Sequence, residues 1–326
     1  MLRTRVTEMF GVDHPIMQGG LQWVANADLV AAVADAGAMG FITALSFDSP
    51  ERLRQEIHRC RDLTDRPFGV NITLLPTMRR PDYAGIVRVC AEEAIPWVET
   101  AGNNPERLLP GLKQGGVRVA HKCTSVRHAR SAVALGCDAI IIDGFECAGH
   151  PGEDDVTSLV LIPITADAVD VPVIASGGFG DGRGLAAALA LGAEGVNMGT
   201  RFLASREAPV HDRVKAALVE RDERSTRLVL RSLRNTVRVL HNDVVDRILA
   251  IEGRPGPTDF AELAPLVSGT AARAEVWEKG NVDGGMFTAG QVTGLIRDIP
   301  TVAELVQRIV AQAEAIIRER LPAWLA

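Results

Sequence analysis

From Val171 to Ser176 the chain reads as a short buried strand that opens into Gly177-Gly178, and from Gly195 to Met198 as a second one that opens into Gly199-Thr200. A glycine at a strand end lets backbone N–H groups approach an anion closely, and the hydroxyls of Ser176 and Thr200 add hydrogen-bond donors. One such turn serves any α/β protein. Two in succession with matched chemistry, joined by an alanine-rich helical segment, point to a cradle for a phosphate group.

Two further residues could carry chemistry. Lys122 ends the run Arg118 to Lys122, and alternation along that run turns it toward the same strand ends as the cradle. A fixed cation there would favour an electron-rich cofactor by up to ~4 kcal/mol at ~4 Å and an effective dielectric of about 20. His150 lies in the sharply turned stretch Gly149-His-Pro-Gly152, where an imidazole could accept a proton from a carbon acid or donate a hydrogen bond to a carbonyl. Glu153, Asp154 and Asp155 follow at once, but no second histidine converges on them. They are expected to cap the next helix, and no metal site is expected.

These residues need a scaffold that brings strand ends together. Strand-like runs fall near Pro15 to Gln18, Ala38 to Ile42, Phe68 to Asn71, Trp97 to Thr100, Arg118 to Lys122, Ala139 to Asp143, Val173 to Ser176 and Gly195 to Met198. Helical patterns separate them, including Asn26 to Ala36, Pro50 to Arg61, Ser125 to Leu135 and Gly182 to Leu191. Strict alternation means a parallel sheet, and eight units mean an α/β fold of the (β/α)8 TIM-barrel type. After Phe202 the rhythm changes. Residues 208–285, with charged helical stretches that include Asp222 to Asn242, are expected to form a helical cap domain inserted after strand eight. The barrel would then comprise 1–207 and 286–326, completed by a helical region from Thr288 to Leu321 broken near Pro300.

Composition narrows the function. A chain of 326 residues with 47% hydrophobic content can bury a full barrel core. Its net charge of −6, with Lys and Arg scattered, argues against nucleic-acid and anionic-membrane partners and for small-molecule substrates. Five cysteines without C-x-x-C spacing suggest neither a disulfide framework nor zinc, and no apolar run is long enough for a membrane span, so a cytoplasmic location is expected. No strand is followed by G-x-G-x-x-G with a downstream acid, so there is no Rossmann module.

Together, Pro15-Ile-Met-Gln-Gly-Gly20, Gly69-Val-Asn71, His121-Lys-Cys-Thr124, the run Asp143 to Asp155, Ala175-Ser-Gly-Gly-Phe179 and Asn197-Met-Gly-Thr-Arg-Phe-Leu203 resemble the 2-nitropropane dioxygenase, or nitronate monooxygenase, family of FMN-dependent barrels. The likeness covers nearly the whole chain and extends to Arg231-Ser-Leu-Arg-Asn-Thr236 and Thr288-Ala-Gly-Gln-Val292, where Thr288 replaces a frequent serine. It implies that Ser176, Gly177, Gly178, Gly199 and Thr200 hold the FMN phosphate. It further implies that Gln22, Trp23, Val24, Thr73, Lys122, Ala148 and Gln291 line the rest of the cofactor, that His150 faces the substrate, and that Pro76 belongs to a gate. The resemblance is strongest to a bacterial NADH:quinone reductase branch, so the expected reaction passes a hydride from NADH to FMN and two electrons to a quinone, in ping-pong order. Nitronate oxidation is the alternative, enoyl-thioester reduction a third, and a homodimer is left open.

Overall fold

A computed structural model describes residues 2–75 and 81–325. Eight parallel strands close into a barrel in sequence order: β1 (Ile16–Gln18), β2 (Met39–Thr43), β3 (Gly69–Leu74), β4 (Trp97–Gly102), β5 (Arg118–Cys123), β6 (Ala139–Asp143), β7 (Val173–Ser176) and β8 (Gly195–Met198). The closing pair is β1 with β8, with Met17 opposite Asn197. The (β/α)8 barrel read from the sequence is the fold of this chain.

Alternation along each strand explains the two cores. Outward residues such as Ile16, Val70, Val98, Val119, Ile140 and Val196 pack under the surrounding helices, while Met17, Met39, Phe41, Trp97, Ala120, Ile141 and Ile174 fill the lumen. The short helix Arg5–Phe10 plugs the lower end. Phe10 meets the Trp97 ring edge-on at 4.8 Å, and Trp97 Nε1 donates to the Met9 carbonyl at 3.0 Å. At the opposite, C-terminal end of the strands the lumen turns polar, with Asn71, Glu99, Asp143, Ser176 and Asn197 all buried. The last long helix, Val302–Ala315, opens on a reciprocal Thr301–Glu304 capping box and packs against Gly182–Ala190, completing the ring.

The segment after β8 departs from one expectation. It carries the helices Asp212–Glu220, Asp243–Glu252, Phe260–Leu263 and Gly269–Ala272, but Asp222 to Asn242 holds no α-helix, only a 3-10 turn at Arg231–Leu233. It forms an antiparallel hairpin, β9 (Thr226–Val229) and β10 (Val237–Leu240), with Val237 opposite Val229. The physical reason is burial. Val229, Val237 and Val239 enter a small core with Val245, Ile248 and Leu263, and β-branched residues favour the pleated surface this creates. The stretch 288–301 is also non-α, holding one 3-10 turn at Gln291–Leu295 before the helix begins.

All five cysteines are unpaired and buried, and burial pushes the thiols of Cys60, Cys90 and Cys137 up to about 12. No helix among the described residues is long and apolar enough to cross a membrane. His121, whose Nδ1 sits 2.8 Å from Thr100 Oγ1, is held by burial well below 6.5, at about 4. Its imidazole stays neutral in the fold while the unfolded chain protonates near 6.5, so between those values the unfolded state binds more protons. This contribution, up to about 3 kcal/mol, is present above pH 6.5 and lost as pH falls toward 4. Urea unfolding across that window should show the decline, and His121→Gln should flatten it.

Candidate active site at the barrel mouth

The glycine turns that follow β7 and β8 lie side by side at the C-terminal end of the barrel, where a third segment joins them. Gly177 and Gly178 follow β7 with φ of 94° and 84°, a left-handed backbone that side chains avoid. Thr200 is buried, and its Oγ1 accepts from the Gly290 amide at 3.0 Å, leaving its own proton free to donate. The segment after the inserted unit is thereby the third wall of the cradle. A Cβ on Gly290 would stand 2.9 Å from the Glu146 carbonyl, and Gln291 N donates to that same carbonyl at 3.0 Å. The amides of Gly178 and Thr200 have no partner among the described residues, so they are available to an anion. Ser176 differs from expectation. Its hydroxyl accepts from Asn197 Nδ2 at 2.9 Å and faces the Asp143 carboxylate, while its carbonyl accepts from Gly144 N at 2.9 Å and Ser158 Oγ at 3.3 Å, so both are committed within the barrel.

Lys122 points into the mouth as alternation along β5 requires, but it is not a free cation. Its Nζ lies 3.0 Å from Glu99 Oε1, and the other Glu99 oxygen accepts from Gly20 N at 2.7 Å and Asn71 Nδ2 at 3.1 Å. Burial would push the Lys122 ammonium down, yet Glu99 and Asp143 outweigh it and hold the pKa above the ordinary lysine value. Burial also raises the Asp143 carboxyl, against the pull of Lys122 and Ser176. The positive charge expected to act on a cofactor is thus largely balanced from below by carboxylates.

His150 is delivered by the loop after β6. The 146–148 stretch passes over the cradle, since a Cβ on Gly177 would meet the Cys147 amide at 3.2 Å and one on Gly290 the Ala148 amide at 3.2 Å. Gly149 N donates to the Arg238 carbonyl at 3.1 Å and Arg238 N to the Gly149 carbonyl at 2.6 Å, so β10 is laddered to this loop. The Arg238 guanidinium covers the Phe145 ring at 4.4 Å and donates to the Phe145 carbonyl, with Nη2 at 2.9 Å. Burial lowers the His150 pKa, opposed by a contact with the Asn235 side chain and by Glu153, so the neutral imidazole is favoured near pH 7.

The three acids after His150 do not cap the next helix. Glu153 accepts from Thr236 N at 3.0 Å and Asp155 pairs with Arg231 at 2.5 Å, both on the hairpin. The helix Ser158–Ala166 is capped instead by Glu146, which accepts from Ser158 N at 3.0 Å and Ser158 Oγ at 2.9 Å. No cluster of metal-ligating side chains occurs among the described residues.

Around the opposite rim, Trp23 takes a left-handed backbone with φ of 69°, its amide held by Ser46 Oγ at 2.8 Å and its ring under Arg273 at 4.9 Å. Such strain in a bulky residue is kept where surroundings over-determine it. Val24 is buried, Gln22 is exposed, and Thr73, Ala148 and Gln291 are half-buried. Thr73 Oγ1 donates to Asn71 Oδ1 at 3.2 Å. Pro76 lies outside the described residues.

Sequence reasoning missed Asn235, Arg238, Glu99 and Glu146. For Glu99 the signal was there, in a carboxylate on an apolar strand at the parity of the lumen.

Open amides after the last two strands, the Lys122–Glu99 pair in the mouth and the 146–149 stretch crossing above are what a ligand-binding barrel presents at the C-terminal ends of its strands. The residues fit a flavin phosphate at the cradle. The chain belongs to the nitronate monooxygenase family, whose model matches residues 3–312. The family and its FabK homologues are flavin-dependent oxidoreductases. The chain is 35% identical, over 96% of each sequence, to a Rhodococcus jostii (3aS,4S,5R,7aS)-5-hydroxy-7a-methyl-1-oxo-octahydro-1H-indene-4-carboxyl-CoA dehydrogenase. It is similar to the structure of FabK from Thermotoga maritima, with TM-score 0.90 and 36% identity over 99% of this chain and 100% of that one. A nitroalkane oxidase from Streptomyces ansochromogenes follows at TM-score 0.81 and 28% identity, over 97% and 99%.

Removing one partner of the Lys122–Glu99 pair leaves a buried charge uncompensated. Lys122→Met should therefore lower the unfolding free energy by about 3–5 kcal/mol, and adding Glu99→Gln should recover most of that loss. Denaturant titration of the two single variants and the double variant measures the coupling.

Proposed function

We propose that this chain is an FMN-dependent oxidoreductase whose organic substrate is a carbon acid, specifically an acyl thioester. What supports this reading is the place of His150 directly after the 146–149 stretch, which passes over the cradle and is laddered to the hairpin, with burial lowering its pKa. A positioned base has work to do where a C–H bond next to an electron-withdrawing group must lose or gain a proton. Thioesters and nitroalkanes are such substrates, whereas hydride delivery from NADH to a quinone needs no base. The thioester is favoured because the CoA-thioester dehydrogenase at 35% identity and FabK at 36% are more similar than the nitroalkane oxidase at 28%.

FMN, when bound, supplies the two-electron chemistry. The residues that would hold its phosphate are Gly177, Gly178, Gly199 and Thr200, with Ser176 fixing the start of the first turn from inside the barrel. Gln22, Trp23, Val24, Thr73, Lys122, Ala148 and Gln291 would surround the remainder, and NADH would be the nicotinamide co-substrate. Neutral His150 accepts the proton from the carbon next to the thioester carbonyl; in the reductive direction it first takes up a proton from solvent and then gives it to that carbon. Lys122, already paired with Glu99, contributes a local dipole at the mouth rather than a free charge. We read 208–285 as a cap unit that holds the His150 loop, and the working assembly as one that needs no nucleic acid or membrane.

Two measurements test this. Gly199 has φ of −111°, and a Cβ there would touch only the Leu21 side chain, at 3.3 Å, so Gly199→Val should fold while crowding the cradle. It should purify largely without flavin absorbance, and full flavin content would refute the phosphate assignment. Turnover of NADH with an α,β-unsaturated acyl-CoA should exceed turnover with a quinone or with propyl nitronate. His150→Ala should cut the thioester reaction by ~10²- to 10⁴-fold. Turnover with a quinone alone, little changed in His150→Ala, would install an NADH:quinone reductase in its place. Turnover with the nitronate alone would install a nitronate monooxygenase.

A further inference from the structure

The connection between β9 and β10 is built against the ordinary preferences of its residues. Leu230 and Arg234, neither of them glycine, both take left-handed backbone, with φ of 61° and 52°. Strain of this kind persists only where the surroundings over-determine it, and it gathers at functional sites. Here the surroundings do so from two sides. The Glu252 carboxylate, from the helix Asp243–Glu252, accepts from Leu230 N at 2.7 Å, Ser232 N at 3.1 Å and Ser232 Oγ at 2.6 Å. On the other side Thr236 donates through N at 3.0 Å and Oγ1 at 2.5 Å to Glu153, three residues after His150. Asn235, between the strained residue and the tethered one, has its amide on the Leu230 carbonyl at 3.2 Å and its side chain hydrogen-bonded to His150.

We infer that Asn235 is the positioning residue of the His150 imidazole, and that the strained turn 230–236 is the device that presents it. The inference rests on the acid–base role proposed for His150, and it names the group that sets which ring nitrogen faces the mouth. An imidazole has two nitrogens, and a hydrogen bond at one decides the state of the other. In this assignment the Asn235 side-chain oxygen accepts from one ring N–H. The second nitrogen is then left with its lone pair, which is the form a proton acceptor needs.

The other charged groups around the ring are already engaged. Glu153 is bonded to Thr236, Arg231 is paired with Asp155, and the Arg238 guanidinium is turned to Phe145 and Thr226. Among these groups the neutral amide of Asn235 is the direct contact. Replacing it therefore gives a signed test: deleting the acceptor should lower the His150 pKa, whereas converting it to a carboxylate should raise it.

The measurement is 15N NMR of the histidine rings in the full-length holoprotein, with the His150 signal assigned through His150→Gln. Wild type should show one dominant His150 tautomer and a titration below 6.5. Asn235→Ala should move that titration lower and mix the tautomers. Asn235→Asp should keep one tautomer and raise the titration by about one pH unit. A merely structural residue would move both variants in the same direction or neither, and either result overturns the inference. If one variant fails to fold by circular dichroism, the sign seen in the other decides. The readout involves no substrate, so acyl-CoA turnover can fail while the positioning stands, and the reverse.

Discussion

A pair of backbone hydrogen bonds between Gly149 and Arg238 holds the working end of this molecule together. They fasten the loop after β6 to β10, and the remaining β10 contacts carry the connection onward, because Val239 bridges to Thr288 and Leu240 N donates to the Phe287 carbonyl. One four-residue strand thus joins the loop that carries His150 to the segment that delivers Gly290 and Gln291 to the cradle. A barrel supplies strand ends but no rigid loops above them. This chain meets that need by inserting a hairpin between its last barrel strand and its last helix. Sequence-distant pieces, 144–155, 226–240 and 287–295, become one layer over the mouth.

Beneath that layer lies a polar floor with its own logic. Each strand alternates between the helices and the lumen, so the inward positions at the C-terminal ends must be either apolar plugs or mutually satisfied polar groups. The chain uses the second solution, with Asn197 Oδ1 left buried and without a partner among the described residues. Glu99 is held by Gly20, Asn71 and Lys122, and Ser176 links Asn197 to Asp143. Such a floor resists rearrangement, because withdrawing any member leaves another buried and unpaired. It also explains why glycines sit at the end of β1, since a Cβ on Gly19 would stand 2.4 Å from Asn197 Oδ1 and one on Gly20 would stand 2.2 Å from Asn71 Cγ.

The barrel was legible in the amino-acid sequence because its signals are local. The Val- and Ile-rich runs, the helical spacing between them and the paired glycine turns are written within a few residues of one another. The inward position of Lys122 on its strand and the turned loop that holds His150 were legible for the same reason, one from alternation and the other from Gly and Pro neighbours. The hairpin was not, because Thr226 to Leu240 carries four arginines and no Asn-Gly or Asp-Gly turn. Its strands are defined by what they pack against: Ile248 and Leu263 on one side, Gly149 on the other. Asn235 and Glu252 act only once that packing exists. The Ser176 hydroxyl misled for a related reason, since residue type made it a donor and only the barrel's closure turned it inward.

The burial of all five thiols has a bearing on the chemical durability of the molecule. A thiolate, not a thiol, is what hydrogen peroxide and other electrophilic oxidants attack. Cys147 stands three residues from His150, yet burial raises its pKa far above the ordinary thiol value, and Cys60, Cys90, Cys123 and Cys137 are likewise buried and raised. Buried thiols held in the protonated form are poor nucleophiles, so the sulfhydryls of this chain are sheltered from such oxidants while it stays folded.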